Sequence, residues 1–207
     1  EASGAVHIMQ LFESMVDVVS QGSVRRGRFS PYLPVSHPDI KEFLEIGTEG
    51  NPIQGLTHGV TVDNKWMEEM IEGDTEKRSI WAKVLQRRGE MGYPYIFFND
   101  NANNGAADVY KDKKHPIYAS NLCTEIMLPS NDEWSFVCVL SSINVLHYDK
   151  WKDTDAVETM IYFLDAVISE FLEKLEAYRD SDNREDRQTF LFMERAYNFA
   201  KENRALG

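Results

Sequence analysis

The chain alternates between segments with the apolar spacing of buried helices and short segments rich in β-branched and aromatic residues. Residues 5–20 repeat apolar side chains at helical spacing until Gln21 and Gly22 end the run. This order of helices and strands predicts an α/β architecture, with the chain folding as part of one domain over residues 1–207. The other predicted elements of this first part are strands at 28–36, 59–63 and 93–100 and helices at 39–47, 64–74 and 76–92.

Local signals set several of the boundaries. Asp63 is a good N-cap for the helix that follows it, and Gly92 is placed to end the next helix. Residues 48–59 contain four glycine or proline positions without apolar periodicity, which predicts a loop.

The second half of the chain is predicted to pass from strands to helices. The polar residues 101–115 are typical of a loop. Two buried strands are predicted at 122–128 and 134–146, joined by a turn at 129–133, and helices at 154–178 and 185–203 follow.

Charge and apolar patterning exclude several classes of protein. The 34 acidic and 22 basic side chains give a formal net charge of -12, which argues against binding to a nucleic-acid backbone. We find no apolar run near the roughly 20 residues of a membrane span and no secretory leader. The sequence therefore predicts a cytoplasmic protein with neither nucleic acid nor membrane as partner.

The only two cysteines, Cys123 and Cys138, lie 15 residues apart in the two predicted strands. Both fit the interpretation of small buried hydrophobes. The five histidines are scattered without metal-ligand spacing, so no metal site is predicted, and there is no G-x-S-x-G motif for a serine nucleophile. In a strand, however, Asn121, Cys123 and Glu125 would project to one face and surround one small polar ligand.

The stretch "SNLCTEI" with "CVLSSIN" behind it resembles the catalytic large subunit of ribonucleotide reductase, which carries Asn-Leu-Cys-x-Glu on a finger loop and a redox cysteine on the next strand. Further segments resemble the same family in the same order. They are "QGSVRRG" with "LPVSHPDIKEFLEI", "GEMGYPYIFFNDNAN" and "RQTFLFMERAYNFAKENRALG". The resemblance covers nearly the whole chain and implies part of a ten-stranded α/β barrel with the active-site cysteine on a central finger loop.

The resemblance also implies roles for individual residues in the reduction of ribonucleotides to deoxyribonucleotides. Cys123 matches the cysteine that becomes a transient thiyl radical and abstracts the 3'-hydrogen of the ribose. Glu125 matches the carboxylate that takes the 3'-hydroxyl proton, and Asn121 the amide that positions the ribose hydroxyls, with Ser120 beside it. Cys138 matches one member of the dithiol pair that ends as a disulfide.

A second site is implied with the nucleotide. The loop 48–59 occupies the position of the family's loop between the allosteric specificity site and the substrate base, so Asn51 and Gln54 are expected to read the base. Arg25 and Arg26 are expected to approach nucleotide phosphates, although they also fit ordinary surface charges.

The resemblance implies partners and a radical source outside the chain. No cofactor is expected to be bound directly, because the radical comes from a metal-containing small subunit; adenosylcobalamin is the alternative source. A ribonucleoside di- or triphosphate substrate, a nucleoside triphosphate effector, thioredoxin or glutaredoxin as reductant and a second copy in a homodimer are the other expected partners.

Because the N- and C-terminal parts of the barrel have no counterpart here, the chain is expected to be an internal piece, or one part of a split or compact enzyme such as a phage enzyme. Such a piece is expected to be inactive without the rest of the large subunit. A non-catalytic nucleotide-binding or regulatory fragment with inert thiols is the competing hypothesis.

Overall fold

The computed structural model describes residues 3–20, 24 and 26–204. Internal contacts divide the chain into two compact units. The first takes in the described residues of Glu1–Ala106 together with Ile117–Glu125, and the second those of Ala107–Pro116 and Ile126–Gly207.

The first unit is built on a parallel sheet. Its described strands are β1 (Tyr32–Pro34), β2 (Gly59–Val62) and β3 (Tyr95–Phe98), in the order β1-β2-β3. Tyr32 lies opposite Gly59, and Gly59 lies opposite Tyr95, so the three residues form one row across the sheet. All four residues of β2 are buried, as expected for a central parallel strand that is covered on both faces.

Helices connect these strands, because parallel neighbours require crossover connections. The helices of this unit are α1 (Ala5–Val18), α2 (Ile40–Phe43), α3 (Asn64–Glu72), α4 (Thr75–Met91) and α5 (Asn99–Asn104). Their order with the strands confirms the predicted α/β architecture.

Capping residues fix the ends of α3 and α4. The Asp63 carboxylate accepts a hydrogen bond from the Trp66 backbone N–H at 2.7 Å, and the Asp74 carboxylate accepts one from the Lys77 N–H at 3.0 Å. Gly92 ends α4 in the left-handed region at φ 80°, where glycine pays no steric penalty. The predicted roles of Asp63 and Gly92 are therefore confirmed.

The core of the first unit lies between the sheet and its helices. Phe43, Ile46, Ile53, Val60 and Val84 have no accessible surface. Leaving so many apolar groups out of water stabilises the fold by roughly 25 cal/mol for each Å² of apolar surface that is buried.

The second unit is mainly helical. It contains α6 (Asp108–Asp112), a 3₁₀ turn (Val145–His147), α7 (Tyr148–Trp151), α8 (Ala156–Arg179) and α9 (Arg184–Asn203). Helices α8 and α9 pack against each other around Leu175, Phe190 and Tyr197, and both confirm the predicted helices of the last third.

The predicted loop at 101–115 is wrong, because α5 and α6 occupy much of it. The side chain of Asn103 donates to the Asn99 carbonyl at 2.8 Å and to the Ile117 carbonyl at 2.9 Å, and its oxygen accepts from the Ile117 N–H at 2.8 Å. Tyr110 is buried and anchors α6. These tertiary contacts outweigh the poor helix propensity of an asparagine-rich segment.

The two predicted strands at 122–128 and 134–146 are also wrong, since neither pairs with a strand among the described residues. Strand propensity becomes a strand only where a neighbouring backbone completes the ladder. Here Ser135 N–H donates to the Arg195 carbonyl of a helix, at 3.2 Å. The predicted turn at 129–133 does form, closed by the Asn131 side chain, which accepts from the N–H groups of Glu133 and Trp134.

Within the described part of the chain, no helix combines the length and apolar character needed to cross a membrane.

Candidate active site

The segment around Cys123 forms a tight turn. The Asn121 carbonyl accepts from the Thr124 N–H at 3.2 Å, and the Asn121 side-chain oxygen accepts from the Glu125 N–H at 3.1 Å. Thr124 takes a left-handed conformation at φ 68°. The chain therefore reverses at Cys123, and the prediction that Asn121, Cys123 and Glu125 share one face of a strand loses its basis.

The turn nevertheless brings polar chemistry together. The side chains of Cys123 and Glu125 are exposed, and the half-buried Asn121 side chain reaches across the turn to the Glu125 N–H. An exposed thiol and an exposed carboxylate two residues apart are open to a small polar molecule. The turn can thus present a nucleophile or radical site next to an acid/base group.

Aromatic hydroxyl groups lie beside this turn. The Tyr32 and Ser120 hydroxyl oxygens are 2.6 Å apart. The Tyr93 and Tyr95 rings meet edge to face with 5.1 Å between their centroids. Burial raises the pKa of the Tyr95 phenol, and its hydrogen bond with Tyr93 and the nearby ionisable groups of Tyr32 and Cys123 raise it further. Cys123 thus lies close to a cluster of phenols.

Sequence reasoning missed this tyrosine cluster. Tyr32 and Tyr95 stand in strands separated in sequence by β2 and three helices, and only the parallel register places them in one row on either side of Gly59. The available signal was a tyrosine in each of two predicted strands, which says nothing about their pairing or register by itself.

His58 is buried behind the same cluster. It is 1% exposed, and its ring packs against Phe43 and Tyr93 at centroid distances of 5.2 and 5.9 Å. Neither ring nitrogen has a hydrogen-bond partner among the described residues. Burial lowers the pKa of His58 to about 4, so its ring is neutral at neutral pH.

Cys138 lies in the second unit, where it is exposed. Its neighbours Val137 and Val139 line an apolar cavity of about 80 Å³ together with Phe171 and Phe199. Val137 and Val139 are half-buried, whereas Cys138 between them is exposed.

The loop 48–59 is held by its own amide side chains. The Gln54 side-chain nitrogen donates to the carbonyls of Thr48 and Asn51, both at 2.7 Å. The Asn51 side-chain oxygen accepts from the Ile53 N–H at 2.9 Å. These bonds hold the two amide side chains in place within the loop.

Glu13 of α1 anchors the same loop, a contact that the sequence did not indicate. One carboxylate oxygen accepts from the N–H groups of Gln54 at 3.2 Å and Gly55 at 2.7 Å. Such charge-assisted bonds to backbone are about twice as strong as neutral ones. The geometry of the loop thus depends on a side chain about 40 residues earlier.

Two arginines, Arg25 and Arg26, are predicted to lie near the nucleotide phosphates. Arg26 is exposed, and Arg25 lies outside the described residues. Among the described residues, no group of three or more His, Cys, Asp or Glu side chains is placed to hold a metal ion.

A parallel sheet with crossover helices and a cysteine-bearing turn defines an α/β domain with a candidate thiol site. The model of the ribonucleotide reductase barrel domain matches residues 1–77 and 69–204. The chain belongs to this family.

Individual relatives agree with this assignment. A Frog virus 3 (isolate Goorha) protein that bears the name of a ribonucleoside-diphosphate reductase large subunit is 32% identical over 193 residues, covering 84% of this chain and 34% of the relative. The vitamin B12-dependent ribonucleoside-diphosphate reductase of Thermoplasma acidophilum is 29% identical over 198 residues, covering 81% of this chain and 24% of that protein.

A solved structure supports the fold. The class Id ribonucleotide reductase alpha subunit of Actinobacillus ureae is 50% identical, with a TM-score of 0.85, and the match covers 100% of this chain and 36% of that one. The predicted α/β barrel fold is confirmed by this likeness. The chain spans about a third of the length of the Frog virus 3 and Actinobacillus ureae proteins.

Proposed function

We propose that this chain is part of the catalytic large subunit of an enzyme that reduces ribonucleotides to deoxyribonucleotides by thiyl-radical chemistry. The observation that carries the proposal is the turn at Cys123, which exposes a thiol beside the Glu125 carboxylate in a chain of the reductase family. Under this proposal the enzyme works in the cytoplasm and supplies precursors for DNA.

Each residue of the turn has a proposed part in the reaction. A thiyl radical at Cys123 takes the 3'-hydrogen of the ribose, and the Glu125 carboxylate accepts the 3'-hydroxyl proton. Asn121 fixes the turn through its side-chain oxygen, which accepts from the Glu125 N–H, and so keeps the thiol and the carboxylate in register. Ser120 borders the ribose side of the site.

A dithiol supplies the two electrons that the net reaction requires. The 2'-hydroxyl leaves as water, a C–H bond replaces the C–O bond, and the dithiol that contains Cys138 is oxidised to a disulfide. The 3'-hydrogen returns from Cys123, which regenerates the thiyl radical. Thioredoxin or glutaredoxin then reduces the disulfide for the next turnover.

The radical itself is proposed to come from outside the chain. A metal-containing small subunit is the proposed source, and adenosylcobalamin is the alternative. The names of the relatives include both an alpha subunit of class Id and a vitamin B12-dependent enzyme. Supplying each source in turn to the complete protein decides between them.

The nucleotide contacts are proposed for the loop and the arginines. We propose that Asn51 and Gln54, which hydrogen bonds within the loop hold in position, contact the base. We propose that Arg25 and Arg26 approach phosphates of the substrate, a ribonucleoside di- or triphosphate, or of a nucleoside triphosphate effector. A change in the ratio of KM values for two substrates in Gln54→Ala would support base reading, and an unchanged ratio would contradict it.

A homodimer is proposed through α1. The side chains of Ile8, Leu11, Met15 and Val18 recur every three or four residues along this helix and are exposed. Such an unpaired apolar stripe is suited to a second copy of the same helix. Leu11→Glu in the complete protein is expected to shift the sedimentation velocity from dimer to monomer.

The proposal is tested with the complete protein, with Cys123→Ser and Cys138→Ser compared under identical conditions. We expect Cys123→Ser to abolish turnover, because no thiyl radical can form, while the Kd of the nucleotide changes less than twofold. Cys138→Ser is expected to keep nucleotide binding and to lose multiple turnover with thioredoxin.

Two outcomes would contradict the catalytic assignment. Turnover that persists in Cys123→Ser would remove that residue from the chemistry. A wild-type protein that binds nucleotide but never reduces it, with either radical source supplied, would favour the non-catalytic nucleotide-binding fragment.

A further inference from the structure

We propose that Tyr32 is a positioning residue for Cys123: its hydroxyl holds Ser120, and through Ser120 it fixes the turn that presents the thiol. The inference rests on the proposed function for its consequence in catalysis, although the contact itself does not. No motif in the sequence points to Tyr32, which precedes Ser120 by 88 positions.

A continuous chain of hydrogen bonds links Tyr32 to the turn. The Ser120 hydroxyl donates to the Asn121 carbonyl at 2.9 Å, so it accepts the proton of the Tyr32 hydroxyl across the 2.6 Å contact. The Asn121 carbonyl also accepts from the Thr124 N–H, the bond that closes the turn around Cys123. Hydrogen bonds in series polarise and strengthen one another in a half-buried site.

The Tyr32 ring is itself held firmly. It meets the Phe97 ring edge to face at a centroid distance of 6.2 Å. It also lies flat over the backbone of Gly59, where an added Cβ would stand 2.3 Å from the Tyr32 Cε1 atom. Gly59 has an ordinary strand conformation, so glycine is required there for space. Because Gly59 has no side chain, the neighbouring strand leaves space for the Tyr32 ring.

The phenol keeps its proton at neutral pH. Burial raises the pKa of Tyr32, and the bond to Ser120 only partly opposes this. The hydroxyl is therefore a permanent donor to Ser120 under working conditions.

A purely structural role would stabilise the fold without affecting the thiol, and the test separates the two roles. The variants are Tyr32→Phe, Ser120→Ala and the double variant in the complete protein, with Tyr118→Phe as matched control. Tyr118 lies on the same segment as Ser120 and is 62% exposed. Its replacement by phenylalanine also removes one hydroxyl group. Cys123 is alkylated with iodoacetamide without nucleotide, its rate is read by peptide mass spectrometry, and Cys138 serves as internal reference.

We expect Tyr32→Phe and Ser120→Ala each to raise the alkylation rate of Cys123 by roughly 2- to 10-fold, the range that corresponds to one net hydrogen bond. Because Tyr32 acts only through Ser120, the double variant should match Ser120→Ala. The rate at Cys138 and all rates in Tyr118→Phe should stay at the wild-type value. In turnover, Tyr32→Phe should lower kcat by about 10-fold or more, because a misplaced reacting atom is costly, while the Kd of the nucleotide is unchanged.

The possible results separate this inference from the proposed function. Wild-type alkylation in both single variants, or effects that add in the double variant, would overturn the positioning role even if the protein reduces ribonucleotides. Coupled effects on Cys123 in a protein without turnover would support the contact and contradict the function. Should Tyr32→Phe fail to fold, Ser120→Ala carries the alkylation test alone.

Discussion

Lowering the pH from 7 to 5 is expected to destabilise the first unit through one buried side chain, His58. In the folded chain its pKa is lowered to about 4 by burial, whereas the unfolded chain has the ordinary value of 6.5. Between pH 4 and 6.5 the His58 ring is therefore mostly protonated in the unfolded chain and mostly neutral in the folded chain. Stability is therefore complete above about pH 6.5 and is lost as the pH falls towards 4.

The size of the effect follows from the two pKa values. A difference of about 2.5 corresponds to a total of about 3 kcal/mol, at roughly 1.4 kcal/mol for each pH unit, and about 2 kcal/mol of this is lost by pH 5. The carboxylates with lowered pKa, such as Glu45 and Glu90, contribute stability that is present above about pH 4.5 and is lost only below it. The window from pH 7 to 5 therefore separates the titration of His58 from that of these carboxylates.

The assay is urea unfolding at pH 7, 6 and 5 for the wild type and His58→Phe. Phenylalanine suits a ring site between Phe43 and Tyr93 and cannot titrate. The wild type should lose about 2 kcal/mol more than the variant between pH 7 and 5. Equal losses in the two proteins, or an NMR titration of the His58 ring near pH 6.5, would refute the reasoning.

Two further changes test the packing of the sheet and the anchoring of the loop. Gly59→Ala should lower the free energy of unfolding in urea by about 1–3 kcal/mol, because its Cβ would displace the Tyr32 ring. The control Gly89→Ala, in a helix with open space around it, should raise that free energy by about 0.5–1 kcal/mol. An unchanged free energy in Gly59→Ala would contradict the close contact. Glu13→Ala should speed hydrogen exchange of the amides in residues 51–55, because two N–H groups lose their acceptor. Glu13→Gln keeps an oxygen acceptor and should retain most of the protection. Equal exchange rates in the two variants would argue against the anchoring role of Glu13.

The sequence predicted the helices and strands up to residue 98 better than the segments between residues 101 and 146, for a physical reason. Helices α1, α3 and α4 have local determinants, namely apolar spacing, an Asp N-cap and a terminal glycine, and each was predicted close to its observed bounds. The strands β1 to β3 were predicted because each is short, apolar and bounded by breakers.

The predictions failed where the decisive contacts are distant in sequence. Much of 101–115 is helical because Asn103 bonds Ile117 beside α5 and buried Tyr110 anchors α6. The segments 122–128 and 134–146 pair with no described strand. Apolar, β-branched composition gave the same strand signal for β1 to β3, which pair, and for 122–128 and 134–146, which do not.

For the candidate site, the sequence alone determined which chemical groups are available: the thiols of Cys123 and Cys138, the Glu125 carboxylate and their order in a motif of the reductase family. The tertiary structure decided how the Cys123 turn is built and what lies beside it. Tyr32 meets Ser120 only because parallel strands stack in one register and Gly59 leaves room for a ring. Such contacts depend on the whole path of the chain, since no local preference specifies which distant side chain will arrive.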